Sequence, residues 1–356
     1  MIAIGRAPVR ISFGGGGSDL PAYYEAHGGF VVSAAIDRCC TVVVSQSADG
    51  ALGVNSADLR CWTRLDPRRP IAPEGPLALP LAALAWFQQR GASLLAIDLF
   101  LASEVPPGSG LGSSSAMVAA LVHATAAVLE WDLSPVETAE AACDIEIGIL
   151  GRPIGKQDQY AASFGGLNAI AFTADGVTVE PLAMPPGVER ALESRLRLYA
   201  TGRTRDSAGI LSRQRARTEH DSAVVARLHA LKSLAHEMRG ALEAADLDGF
   251  GTLLDQGWRL KRGLAAGISD DHIDRWYALA REAGALGGKI AGAGGGGFLL
   301  LDVPPERQAS VDTALGREGL LPFAFRFSHA GAAATRPSTG DLALAASSAA
   351  RLGGGR

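Results

Sequence analysis

Apolar and polar positions in the first half of the chain alternate between strand-like runs and helical stretches. Residues 31–36 and 41–44 are short β-branched runs separated by polar residues, a pattern that predicts two strands. Residues 94–101 alternate loosely and predict another. A Pro-Gly-Ser stretch follows, and residues 113–129 are then Ala-rich without Gly or Pro, which predicts a helix. Ser134-Pro135-Val136-Glu137 opens a second helix. Serine at the N-cap, proline at the first helical position and glutamate three after the cap make a capping box. That helix is expected to run to about Ile149, ahead of Gly151 and Pro153.

The pattern thins at residues 183–186, which places a domain boundary there. Beyond it, Ser207 to about Ala266 reads as helical, with breaks near Gly240 and at Gly249-Phe250-Gly251. A helix is predicted over 271–283 and a strand over 298–303. From Gly331 the chain is rich in Ala, Gly, Ser and Thr with no periodic apolar face, and its last residues are expected to be disordered. The expected division is 1–184, 185–335, and a disordered tail over 336–356.

Composition narrows the function class. The 356 residues are 47% hydrophobic and 20% charged, ordinary for a globular protein. A net charge of −4 gives no nucleic-acid footprint, so anionic ligands must be met by local positive groups. Cys39, Cys40, Cys61 and Cys143 show no paired metal spacing, and the adjacency of the first two argues against a disulfide framework. The N-terminal stretch reaches Arg6 and Arg10 without an apolar signal core, and no window approaches the roughly 18 apolar residues of a membrane span. A soluble, cytoplasmic protein, monomeric or homodimeric, without nucleic-acid or membrane partners, is expected.

Candidate chemistry lies in three glycine-rich loops. The central one, Pro106-Pro107-Gly108-Ser109-Gly110-Leu111-Gly112-Ser113-Ser114-Ser115, stands between a predicted strand and a predicted helix. Glycines let backbone approach an anion, and a helix N-terminus offers unpaired N–H groups and a positive dipole end. The bland alternative is a flexible turn ahead of a core helix. No Gly-Lys-Ser/Thr occurs here, so this is not a Walker A loop. The last loop, Gly292-Ala293-Gly294-Gly295-Gly296-Gly297, matches GxGxxG but is followed by Phe298-Leu299-Leu300-Leu301, which reads as a strand where a dinucleotide fold needs a helix. It is read as a close-packing turn near nucleotide or substrate. In the first loop, Gly14-Gly15-Gly16-Gly17-Ser18-Asp19, the aspartate is either a polyol ligand or an exposed turn residue.

By order and content these loops resemble the GHMP kinase family, named for galactokinase, homoserine kinase, mevalonate kinase and phosphomevalonate kinase. Ala7-Pro8-Val9-Arg10-Ile11-Ser12-Phe13 resembles its first motif, the central loop its nucleotide loop, and residues 291–298 its third motif. The resemblance implies an α+β fold. A ribosomal-protein-like α/β domain would precede a ferredoxin-like domain, with the active site between them. Within the family the likeness is greatest to heptose 7-phosphate kinases and next to L-fucokinases. Three segments carry it: Phe13-Gly14-Gly15-Gly16-Gly17-Ser18-Asp19-Leu20, Gly155-Lys156-Gln157-Asp158-Gln159-Tyr160-Ala161-Ala162-Ser163-Phe164-Gly165-Gly166, and Thr201-Gly202-Arg203-Thr204-Arg205-Asp206-Ser207-Ala208. The Gly-Glu-His-Thr-Asp-Tyr sequence of galactokinases is absent.

What the resemblance implies for chemistry is ATP- and Mg²⁺-dependent phosphoryl transfer to a small-molecule sugar phosphate. Residues 107–115 would bind ATP, and Ser114 and Glu146 would hold Mg²⁺. The alternative for Glu146 is a solvated helix face. Asp158 would be the catalytic carboxylate and Arg10 its companion, or else Arg10 forms a structural ion pair. Gly16, Gly17, Ser18, Asp19, Gln157, Gly294 and Gly295 would line the sugar site, with Lys156, Arg203 and Arg205 as candidates for a second anion site. Two further readings stay open: a C-1 kinase for an unphosphorylated sugar such as L-fucose, and a catalytically silent sugar and ATP sensor.

Overall fold

A computed structural model of the chain describes residues 2–94, 96–203 and 207–337. Its first sheet is built on two long strands, β1 (Ile2–Gly14) and, beyond the short α1 (Pro21–His27), β2 (Gly29–Gln46), which pair antiparallel. The runs expected as two strands are thus one strand of 18 residues. Asp37 and Arg38, the polar residues between them, stand where the register with β1 shifts between Pro8 and Arg10. A later segment satisfies them, since Asp37 N–H donates to Arg326 O (2.8 Å) and Arg38 Nη2 to Ala324 O (2.8 Å). The polar interruption is a bulge within one strand.

The half continues with β3 (Leu52–Ser56), β4 (Cys61–Leu65), α2 (Ala78–Gln89), β5 (Ile97–Ser103), α3 (Ser113–Leu129) and α4 (Pro135–Cys143). A π-helical turn (Asp144–Ile149), α5 (Gln157–Phe164), β6 (Leu167–Thr173) and β7 (Gly176–Pro181) complete it. β5 pairs with the second half of β2 and β6 with its first half, so β2 is the spine of the sheet. The Ala-rich helix spans the residues expected and lies across β1 and β2, buried along its middle from Ser115 to Ala126 except at His123. The capping box of Ser134 and Glu137 is present in both directions.

The second half contains α6 (Val188–Arg195), β8 (Leu196–Ala200), α7 (Ser207–His220), α8 (Ser222–Glu243), α9 (Leu247–Lys261), α10 (Asp271–Glu282), β9 (Gly287–Ile290), β10 (Phe298–Asp302), α11 (Gln308–Arg317), β11 (Leu321–Phe323) and β12 (Ala333–Thr335). β11, β8, β10 and β9 form an antiparallel four-stranded sheet in that order. Neither predicted glycine break is a break. Gly240 sits inside α8, where the roughly 1 kcal/mol cost of an exposed helical glycine is outweighed by burial of Leu234, Ala235, Met238 and Leu242 on the same helix. Gly249 and Gly251 lie in the first turns of α9, and a Cβ on Gly251 would fall 2.1 Å from Asp302 Oδ2, so this glycine lets α9 approach β10. The helices are divided instead by side-chain caps at Asp221 and Asp246.

Ala333–Thr335, in a stretch without periodic pattern, extends the first sheet as β12 along β1. Main-chain pairing at a sheet edge requires no buried face. Residues 338–356 lie outside the described residues. Apolar residues of both halves share one core, in which Phe13 meets Phe250 edge-on at 5.4 Å. A second core surrounds Trp258, Tyr199 and Ile273. Among the described residues no helix is long and apolar enough to cross a membrane.

Candidate active site

The central loop joins β5 to α3. Gly112 caps α3 in the left-handed conformation with no side-chain cap bond, which leaves the first-turn N–H groups at Ser113, Ser114 and Ser115 available at the positive end of a 17-residue helix. Arg10 pins the loop twice, its N–H donating to Leu111 O (2.8 Å) and its Nη1 to Gly110 O (2.7 Å). Ser109 and Leu111 are buried, while Pro107 and Gly108 are exposed. The third loop backs this one: a Cβ on Gly297 would stand 2.2 Å from Ser109 O, so only glycine allows the two loops to meet.

Asp158 occupies the first turn of α5, where a carboxylate is favoured by the helix dipole. Its Oδ1 accepts from Arg10 Nε at 2.7 Å and lies 2.6 Å from Nη2. Oδ2 makes no hydrogen bond among the described residues.

Glu146 projects inward from the π-helical turn and is fully buried, so the solvated-face alternative does not hold. The reason is helical phase: Ala139, Ala142 and Glu146 share the buried face. Ser114 Oγ and Arg152 Nη1 (2.9 Å) donate to Oε1, and Ser115 Oγ (2.5 Å) and Gln159 Nε2 (2.8 Å) donate to Oε2. Arg152 Nη1 also donates to Ser114 Oγ.

A polar recess shares the cleft with the central loop. Asp19 is buried, with Oδ1 accepting from Gly17 N–H at 2.8 Å; burial pushes its carboxyl up and the charge of Asp158 adds to this, against the Gly17 bond. Ser12 Oγ, Gln157 Oε1 and Gln214 Nε2 are buried and have no hydrogen-bond partner among the described residues. Lys289, also buried, donates to Ser12 O (2.7 Å) and Phe13 O (3.3 Å). Burial, reinforced by Arg10, pushes its ammonium down to about 7. All these groups, with Gly16, Gly17 and residues 112–115, line one cleft of about 390 Å³.

Several candidates stand elsewhere. Ser18 is buried and stitches its loop to β2, donating to Gly15 O (2.8 Å) and accepting from Phe30 N–H (3.0 Å). Lys156 lies over the Tyr24 ring (5.3 Å) and Arg203 pairs with Asp270 (2.9 Å), both away from the cleft lining. Gly294 and Gly295 pack on Ile268, and it is Gly292 and Ala293 of the third loop that reach the cleft. Arg205 lies outside the described residues.

Residues 78–166 match the GHMP kinases N terminal domain and residues 238–318 the GHMP kinases C terminal domain. A D-glycero-alpha-D-manno-heptose 7-phosphate kinase of Campylobacter jejuni is 32% identical over 88% of this chain and 93% of its own. The chain belongs to the GHMP kinase family. This kinase is also similar in structure to a D-glycero-D-manno-heptose 1-phosphate kinase from Bacteroides thetaiotaomicron, with a TM-score of 0.80, 27% identity, and 95% and 100% of the two chains covered. A bifunctional fucokinase/GDP-fucose pyrophosphorylase of Arabidopsis thaliana is 27% identical over 83% of this chain, which spans 29% of that protein. The two-domain α+β architecture and the phosphotransferase class implied by the three motifs are borne out.

Sequence reasoning passed over Arg152, Gln159, Gln214 and Lys289, all polar groups of this kinase's cleft or of the Glu146 cluster. Lys289 had a readable signal, a lone cation in the apolar strand that leads into the third loop. Arg152 and Gln214 had none, because their direction depends on packing between elements distant in sequence.

Proposed function

We propose that this kinase transfers the γ-phosphoryl group of ATP to the anomeric hydroxyl of a heptose 7-phosphate, giving the 1,7-bisphosphate and ADP. The observation that carries the reading is the Arg10–Asp158 pair, set between a helix N-terminal loop and a recess of unpartnered polar atoms. Asp158 accepts the proton of the attacking hydroxyl, Arg10 holds the carboxylate in place, and the hydroxyl oxygen bonds to the γ-phosphorus as the bond to ADP breaks. The N–H groups opening α3, with residues 107–115, receive the phosphates. Ser12, Gln157, Gln214 and Asp19 offer the donors and acceptors that sugar hydroxyls require.

Ser114 and Glu146 fit a hard divalent cation, since a hydroxyl and a carboxylate oxygen converge on a single cationic nitrogen, that of Arg152. These two residues would hold Mg²⁺, which supplies charge neutralisation at the transferring phosphates. We place the enzyme in the cytoplasm, where ATP is found, as a monomer or homodimer.

Heptose is favoured by the Campylobacter jejuni and Bacteroides thetaiotaomicron relatives, which match 88% and 95% of this chain. A second reading, a C-1 kinase for an unphosphorylated sugar such as L-fucose, is favoured by the absence of Lys156 and Arg203 from the cleft lining. ADP release measured with heptose 7-phosphate, heptose 1-phosphate, free heptose, L-fucose, galactose and mevalonate decides between them. Highest kcat/KM on the 7-phosphate is expected. Highest kcat/KM on L-fucose would establish the second reading, and no turnover on any of them would favour a sensor.

A further inference from the structure

Arg152 has no place in the reaction outlined above, yet its Nη1 touches both groups assigned to the metal, Glu146 Oε1 at 2.9 Å and Ser114 Oγ. The other carboxylate oxygen is fixed independently by Ser115 and Gln159. Glu146 therefore cannot turn, and Oε1 is the oxygen at which an exchange of partners takes place. The two sides of the ion pair also differ in freedom. Both residues line the cleft, but the Glu146 side chain is 0% exposed and that of Arg152 is 35% exposed, so the guanidinium is the partner with open space beside it. The backbone of Arg152 is tied back, its N–H donating to Glu146 O at 3.0 Å, which keeps a displaced side chain within reach of the site.

We propose that Arg152 is the built-in counter-ion of the Ser114–Glu146 pair and exchanges with the divalent metal, leaving Oε1 and Oγ as the metal arrives and turning toward the nucleotide phosphates. This rests on the assignment of Mg²⁺ to Ser114 and Glu146. A metal ion and a guanidinium crowded onto one carboxylate oxygen and one hydroxyl repel each other, most strongly where water is excluded. An uncompensated buried carboxylate is in turn strongly destabilising. A resident arginine removes that penalty before metal binds, and its displacement weakens the binding of free metal. Metal bound together with the nucleotide loses less, since the phosphates give the displaced guanidinium a bidentate partner.

The test measures Mn²⁺ binding to the nucleotide-free enzyme by the EPR signal of free Mn²⁺, together with Tm in EDTA and in Mn²⁺. Arg152→Ala is expected to lower Tm in EDTA, to recover it in Mn²⁺ by more than wild type does, and to bind Mn²⁺ about tenfold or more tightly, the scale of one lost charge-assisted bond. Arg152→Gln, which keeps hydrogen bonding without charge, serves if the alanine variant does not fold, and is expected to tighten Mn²⁺ binding similarly. Glu146→Gln is expected to lose Mn²⁺ binding. If it does so while neither arginine variant tightens Mn²⁺ binding, the exchange is overturned and the metal assignment stands. If Glu146→Gln binds Mn²⁺ like wild type, the metal assignment falls and the exchange with it.

Discussion

Both Nε and Nη2 of Arg10 reach the same oxygen of Asp158, Oδ1, at 2.7 and 2.6 Å. The same side chain holds Gly110 O through Nη1, and its backbone N–H holds Leu111 O. One residue of β1 thus fixes the carboxylate and the central glycine-rich loop relative to each other. With Oδ1 occupied by the guanidinium, Oδ2 is the carboxylate oxygen left without a hydrogen bond among the described residues.

Asp158→Asn keeps the shape of the side chain and removes its charge. The variant should retain ATP binding and lose about 10²–10⁴-fold in kcat, the usual range for a missing general base. Steady-state kinetics and nucleotide titration measure the two quantities separately. Turnover within a fewfold of wild type would leave Asp158 with a purely positional role.

Ser114→Ala and Glu146→Gln should each raise the Mg²⁺ concentration needed for half-maximal activity at fixed ATP. Glu146→Gln should in addition lower Tm, because its amide would confront donors from Ser114, Ser115, Gln159 or Arg152 that now meet carboxylate oxygens. Magnesium titration and thermal melts are the measurements. Unchanged Mg²⁺ curves for both variants would sink the metal assignment.

How much of this was legible beforehand follows from the range of each interaction. The α3 helix and the capping box of Ser134 and Glu137 depend on neighbours within a turn, and sequence alone places them. Gly240 and Gly251 misled because the reasons for tolerating them are tertiary, a buried face of α8 and the close approach of α9 to β10. Motif order points to Asp158, Ser114 and Glu146, and all three line the cleft. Lys156 was drawn by the same local match, but helix direction turns it toward Tyr24. Lys289 was missed because its role depends on the carbonyls of Ser12 and Phe13, 277 and 276 residues away.

Lys289 predicts a pH dependence of stability. Its ordinary value of 10.5 falls to about 7 in the fold. Between those values the unfolded chain binds more protons than the folded one, so this residue's contribution to stability rises with pH through that window. Below about 7 the folded protein carries the full burden of a buried ammonium. Lys289→Met removes the burden along with two hydrogen bonds whose loss is insensitive to pH. Relative to wild type, its Tm should therefore improve as pH falls from 10.5 toward about 7 and level off below. A Tm difference that is constant with pH would show that Lys289 is not a buried titrating group.

Substrate choice gives the last prediction. The wild-type kinase should prefer a heptose 7-phosphate to the free heptose, and the cations named for the second anion site are no longer equivalent. Lys156, engaged with the Tyr24 ring, should be dispensable: Lys156→Ala should leave the ratio of kcat/KM between the two sugars nearly unchanged. Arg203 is exposed and, among the described residues, pairs with exposed Asp270, a pair of the kind worth about 0–1 kcal/mol, so an incoming phosphate can compete for it. If it does, Arg203→Ala should lower kcat/KM for the phosphorylated sugar by about 10–10²-fold, the scale of one charge-assisted hydrogen bond, and barely affect the free sugar. Asp270→Ala should act in the opposite sense, by removing the competitor for the guanidinium. The measurement is kcat/KM on both sugars for wild type and the three variants. Equal use of the two sugars by wild type would overturn the 7-phosphate assignment and leave the kinase assignment intact. A preference that survives Arg203→Ala unchanged would instead move the phosphate to other cations, of which Lys289 already faces the cleft.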